Sequence, residues 1–165
     1  MSEMNGTAPA LENILPKDVP CLLLPFAQCT LLVPTVTVAE IVGYSIPTAI
    51  EGSPSWLLGE FSWRDQSVPM LSFERLNGDT QPELSMHTRV AVLNHTGLSD
   101  EVPFLAVATA GIPKLARVTS EDISLLDQEL SNALEKAHVS LNGDNLIIPE
   151  IAALERTYIE WANAQ

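Results

Sequence analysis

"GEFSWRDQSVPMLSF", residues 59–73, sets the character of the chain. Two aromatic residues, Arg64 beside Asp65, and an apolar run carrying Pro69 lie close together in a chain otherwise short of positive charge. "GEFSW" and "SVPMLSF" read as a strand pair folded around "RDQ", because apolar and aromatic runs bounded by short polar punctuation favour hairpins over helices. If that reading holds, the surrounding sequence should be β-rich and Arg64 should sit at a hairpin tip.

The flanking sequence agrees. Upstream, "CLLLPF" and "CTLLVP" are short apolar strands separated by "AQ", and "TVTVAEIVGY" is rich in β-branched residues. "SIPTAIEGSPSW" is a connection punctuated by Pro47, Gly52 and Pro54, with one helical turn expected after Ser53, its hydroxyl as cap and Pro54 in first position. Downstream, "RLNGDTQPELS" is a loop with an Asn77-Gly78 turn signal, and "RVAVLNH" and "VPFLAVATAGI" form a second hairpin across "TGLSDE". "ARVTSEDI" continues as a strand into the capping residues Thr119, Ser120, Glu121 and Asp122. Leu126, Leu130 and Leu134 recur every four positions and predict an amphipathic helix over residues 123–137. "LNGDNLIIP" is a hairpin turn entering a last strand, and Ile151, Leu154, Tyr158 and Trp161 share one face of a final helix. Residues 1–18 are polar, carry Gly and Pro and show no sustained period, so they are expected to form a flexible arm, with the fold starting near Val19.

Composition narrows the function. The 165 residues suit one domain or two closely joined halves, and 46% apolar content with 18% charged residues is enough to bury a core. A net charge of −13 offers no stripe of cations for the phosphates of a nucleic acid and would be repelled by an anionic membrane surface, so neither nucleic acid nor membrane insertion is expected. Residues 21–39 carry no charge, but Pro25, Pro34, Gln28 and several threonines interrupt them, and two strands and a turn explain them better than a membrane span. With no targeting signal recognised, a cytoplasmic location is expected. Cys21 and Cys29 are expected to be small buried thiols of a reducing compartment, without disulfide or zinc.

Catalytic signatures are sparse. The sequence carries no phosphate loop, no HExxH and no GxSxG. His87 and His95 would be separated by roughly 26 Å of strand, too far to share a metal. His138 falls near the C-terminal end of the predicted helix, where an imidazole suits the dipole. No cofactor and no metal site are expected. Asp79, Glu83, Asp100, Glu101, Glu121 and Asp122 fall in loops and caps, where solvated acids are the usual case.

Four stretches in order resemble the CheW-like coupling domain of bacterial chemotaxis. "GEFSWRDQSVPMLSF" is similar to the family's Gly, hydrophobic strand, Asn-Leu-Arg-Gly and Val-Pro signature, with Gly59, Arg64, Val68 and Pro69 matching. "VAEIVGY" resembles its Val-x-Glu-Ile strand, "VPFLAVATAGIPKLARVTSEDI" its second-barrel hairpin, and "NGDNLIIPEIAAL" its closing strand and helix, so the resemblance covers about residues 20–155. It departs from the family at Asp65, where Gly is usual and an altered turn is therefore expected, at Ser72 and at Ala110, where Asp is usual. This divergence resembles the accessory, ChpC-type members that serve a type IV pilus system in twitching motility.

The resemblance implies a mainly β fold of two side-by-side five-stranded SH3-like barrels with short helices. The halves would span approximately residues 19–80 and 81–148, closed by a C-terminal helix over 149–163. It implies a non-enzymatic adaptor that joins the cytoplasmic tip of a methyl-accepting chemoreceptor to the regulatory domain of a CheA-type histidine kinase. Val38, Glu40, Gly59 and Arg64 would form the receptor contact, and Val68 and Pro69 the structural motif. For Arg64 a structural ion pair with Asp65 or Glu40 and stacking on Trp63 or Trp56 stay open beside that contact. A small β-barrel enzyme using a Ser or Asp residue is the competing reading, and it would require a deep pocket holding titratable groups with perturbed pKa values.

Overall fold

The computed structural model describes residues 18–165, so the expected arm lies, apart from Asp18, outside the described residues. The described residues are mainly β, with eleven strands in two sheets. They are β1 (Val19–Pro25), β2 (Thr30–Pro34), β3 (Val38–Gly43), β4 (Leu57–Trp63), β5 (Gln66–Leu71), β6 (Arg89–Asn94), β7 (Phe104–Thr109), β8 (Lys114–Val118), β9 (Ile123–Leu125), β10 (Glu135–Leu141) and β11 (Asp144–Pro149). Helix α1 (Phe73–Leu76) is a single turn, and α2 (Ile151–Asn163) closes the chain.

The sheets do not follow the two halves of the sequence. The six-stranded sheet runs β8-β1-β2-β11-β10-β9 and the five-stranded sheet β3-β6-β7-β5-β4. The expected boundary near residue 80 therefore falls inside the five-stranded sheet, which is contributed by the middle of the chain, while both ends of the chain build the other. Pairing of β1 with β8, from Val19↔Val118 to Leu23↔Lys114, ties the ends together.

Side-chain alternation explains why the sheets form one body. In β6, Val90 and Val92 face a core inside the five-stranded barrel, whereas Ala91 and Leu93 face a core shared with the other sheet. β7 divides in the same way, Ala106 and Ala108 against Leu105 and Val107. In β2, Leu31 and Val33 enter the shared core and Leu32 a third core inside the six-stranded barrel, beside Cys21, Val139, Leu141 and Leu146. Strands buried on both faces read as continuous apolar runs, as these do. Leu154 of α2 is buried in the shared core, with Ile151, Tyr158 and Trp161 packed against it, as the helical period predicted. The shared core draws buried side chains from both sheets and from α2, so separating the barrels would expose apolar surface on each, at about 1.5–3 kcal/mol for every large side chain uncovered. Neither barrel is expected to survive without the other.

Three local expectations are corrected. The helix predicted over residues 123–137 is absent: β9 pairs β10 through Val139↔Leu125 to Leu141↔Ile123, and the intervening residues form a loop. A spacing of four is also a multiple of the strand period of two, and of the three leucines only Leu134 is in the core, while Leu130 is 49% exposed. His138 accordingly lies on a strand, not at a helix end. Pro54 starts a turn, with the Leu57 N–H donating to its carbonyl at 3.1 Å, rather than a capped helix. Residue 72 opens α1, since the Arg75 N–H donates to Ser72 Oγ at 3.2 Å, and Asn77 and Gly78, the latter with φ +86°, end that helix instead of turning a hairpin.

Candidate interaction surface

The hairpin quoted at the outset forms as read. β4 and β5 pair antiparallel from Leu57↔Leu71 to Trp63↔Gln66, leaving Arg64 and Asp65 as a two-residue turn. Their φ angles, +47° and +60°, are those of a type I′ turn, whose twist matches that of the strands. Replacement of the family's glycine by Asp65 has therefore not removed the turn; Asp is among the residues that enter the left-handed region, at a cost of roughly 1–2 kcal/mol. The turn aims Arg64 outward, and its side chain is 65% exposed.

Glu40 meets it from β3. β3 and β4 are the two edges of the five-stranded sheet, so contact between them closes the sheet into a barrel. Glu40 Oε1 accepts from Trp63 Nε1 at 2.9 Å and from Arg64 Nε at 3.1 Å, and lies 3.0 Å from Arg64 Nη2. The Arg64 guanidinium also stands over the Trp63 ring, 4.9 Å from its centroid, and that ring packs edge-on against Phe104 at 4.8 Å. Trp63 is buried, so its indole is a fixed wall on which the arginine rests. Of the partners open for Arg64, the structure selects Glu40 and Trp63, while Trp56 packs against the shared core.

The other expected site residues take different places. Val38 is half-buried at the start of β3, packed on the shared core and opposite Leu93, with an irregularity in pairing before Glu40. Beside it Val36 is 81% exposed, its carbonyl accepting from Asn94 Nδ2 at 2.9 Å. Gly59 is buried and distant in register from the turn; its φ is +141°, and a Cβ there would lie 2.3 Å from Thr48 O. It permits the bridge in which Thr48 and Glu60 exchange N–H···O bonds of 2.8 Å. Val68 is a core residue of the five-stranded barrel, and Pro69 sits opposite Glu60, just before pairing of β5 with β7 begins at Met70, where a missing N–H is tolerated. Trp63 was named in the sequence only as a stacking platform; its indole N–H as a third donor to Glu40 was not legible without the barrel's closure.

Titratable groups with displaced pKa values lie elsewhere. Burial pushes the Cys29 thiol up to about 11, helped by the carboxylates of Glu74, Glu135 and Asp79. Burial also raises Tyr158, with Glu60 adding to it. Burial alone would raise Glu135, but the Ser131 N–H and His138 outweigh it and hold the carboxyl below its ordinary value. His87 and His95 are exposed beyond the two ends of β6. Among the described residues no group of three or more His, Cys, Asp or Glu is placed to hold a metal, and no helix is long and apolar enough to cross a membrane. Beside the Glu40–Arg64–Trp63 cluster the hairpin flank carries an open groove of about 420 Å³, bounded by Thr48, Glu60, Ser62, Asp65, Gln66 and Ser67, and the notch lined by Glu60, Pro69, Glu101 and Tyr158 is about 90 Å³.

The two sheets, closed side by side, define the class by fold: a pair of SH3-like barrels. Residues 20–157 match the CheW-like domain family, and the chain belongs to that family. Its fold is similar to that of the crystal structure of the scaffolding protein TtCheW from Thermoanaerobacter tengcongensis, with 14% sequence identity, a TM-score of 0.72, and 85% of this chain and 89% of that one covered. A search of curated proteins gave no match.

Proposed function

We propose that the protein is a non-enzymatic signalling adaptor that couples the cytoplasmic tip of a methyl-accepting chemoreceptor to the regulatory domain of a CheA-type histidine kinase in the cytoplasm. Membership of the CheW-like family supports a chemotaxis scaffold over a small β-barrel enzyme. The observation that carries the reading is Arg64, held by Glu40 and Trp63 yet 65% exposed. An arginine fixed by its own chain loses little side-chain freedom on binding, and most of its donors remain available to a partner carboxylate or carbonyl.

In this reading Arg64, Glu40 and Val38 form the receptor-facing surface, exposed Val36 extends it with apolar area, and Gly59 supports the same hairpin through the Thr48–Glu60 bridge. The departures at Asp65, Ser72 and Ala110 support service in a type IV pilus system for twitching motility, as an accessory of the ChpC type, rather than in a flagellar one. Pull-down from native cells followed by mass spectrometry tests the assignment. Recovery of a chemoreceptor and a CheA-type kinase encoded with pilus components is the expected result; their absence from the captured proteins refutes it.

A further inference from the structure

Three glutamates are almost wholly buried: Glu74 at 2% exposure, Glu135 at 5% and Glu155 at 1%. Two are well supplied with donors. Glu155 accepts from the backbone N–H and the hydroxyl of Thr96, and Glu135 from the Ser131 N–H, with His138 Nε2 at 3.0 Å. Glu74 has fewer: Oε2 accepts from the Ala27 N–H at 3.2 Å, while Oε1 meets no donor among the described residues.

Among the described residues its neighbours offer no compensating cation. The Asp79 carboxylate, from the segment after α1, acts on it, and Glu74 and Asp79 act in turn on the Cys29 thiol of the β1–β2 hairpin, as does Glu135 of β10, which holds His138. On α1 itself the Arg75 guanidinium donates to the Ser55 carbonyl at 2.8 Å, and Lys136 of β10 is exposed. An unpaired carboxylate this deep costs several kcal/mol, and such a group normally takes up a proton instead.

The location gives that proton a mechanical meaning. α1 follows β5 of the five-stranded sheet, whereas Ala27 and Cys29 belong to the hairpin of the six-stranded sheet, and the Phe26 and Phe73 rings pack 5.1 Å apart across the same seam. We propose that Glu74 is a proton-carrying pin between the two barrels: neutral while the hairpin of residues 26–29 is seated on α1, and ionised when that hairpin lifts away. Opening of the seam then releases a proton and is favoured as the pH rises. The raised pKa of Glu74, caused by burial first and by Asp79 in addition, agrees with this. A folded pKa above the unfolded one gives a contribution that is complete below the unfolded value, near 4.5, and is lost as pH climbs through the folded value.

The test compares the full chain with Glu74→Gln, which keeps the shape and stays neutral, using amide hydrogen exchange at residues 26–29 corrected for intrinsic rates. In the unchanged chain the opening equilibrium is expected to rise with pH between the open-state pKa, near 4.5, and the folded value, by at most tenfold per unit, and to level off above the folded value, while in Glu74→Gln it stays flat. Parallel pH dependence in the two proteins overturns the proposal. Should Glu74→Gln fail to fold, carboxyl carbon-13 titration of the unchanged chain decides: one glutamate titrating clearly above the rest supports the pin, and its absence refutes it.

Discussion

Gly59→Ala separates a structural glycine from a contact glycine. The new Cβ would fall 2.3 Å from Thr48 O, 2.8 Å from Thr48 C and 3.2 Å from Ala49 N, all backbone atoms that cannot swing aside. Residue 59 would also keep a φ of +141°, a conformation that L side chains rarely adopt. Relief requires residues 48–49 to leave β4, breaking the two 2.8 Å bonds between Thr48 and Glu60. Two hydrogen bonds at about 1 kcal/mol each and backbone strain of about 1–3 kcal/mol give a loss of roughly 3–5 kcal/mol. At about 2–4 °C per kcal/mol for a chain of this size, the midpoint should fall by roughly 6–20 °C. Differential scanning calorimetry measures it, and receptor binding should weaken only as the folded fraction does. A variant with an unchanged midpoint and lost receptor binding would refute the steric reasoning and make Gly59 a direct contact.

Arg64→Glu should remain folded, because exposed ion pairs contribute only about 0–1 kcal/mol and the stacking a similar amount; receptor affinity should drop by roughly 2 kcal/mol or more while kinase binding changes less, as separate titrations would show. Asp65→Gly should raise stability by about 0.5–1 kcal/mol in urea melts, because glycine enters the left-handed region without the steric cost that Asp bears. Glu135, with a folded pKa below its unfolded value, stabilises the protein above about pH 4.5 and loses that contribution as pH falls through the folded value. Glu135→Gln should therefore cost more stability at pH 7 than in acid, the penalty shrinking as pH is lowered below about 4.5; a penalty independent of pH would contradict the pairing with Ser131 and His138.

Hairpins were legible because their signals are local: apolar runs bounded by Arg64-Asp65 and Asn142-Gly143 carry both strand and turn in adjacent residues, and both turns adopt the positive φ they require. α2 was legible from its period. Sheet membership was not, because pairing of β1 with β8 joins residues nearly a hundred positions apart and leaves no local trace. The leucine spacing before β10 misled for the same reason, since burial of Ala137, Val139 and Leu141 depends on neighbours supplied by β9 and β11. At the site, pairing of Glu40 with Arg64 could be named from the sequence as one of several options, but the closure of β3 onto β4 that selects it, and the role of the Trp63 N–H, are properties of the folded barrel.

Bridging tests the adaptor reading most directly. A CheA-type kinase regulatory domain is sedimented with membranes bearing the chemoreceptor captured alongside this chain, with and without the purified full-length protein. The account predicts that the kinase domain pellets only when the protein is present, and that Arg64→Glu abolishes the effect. Sedimentation that is independent of the protein, or unaltered by it at saturating concentration, would contradict a coupling role.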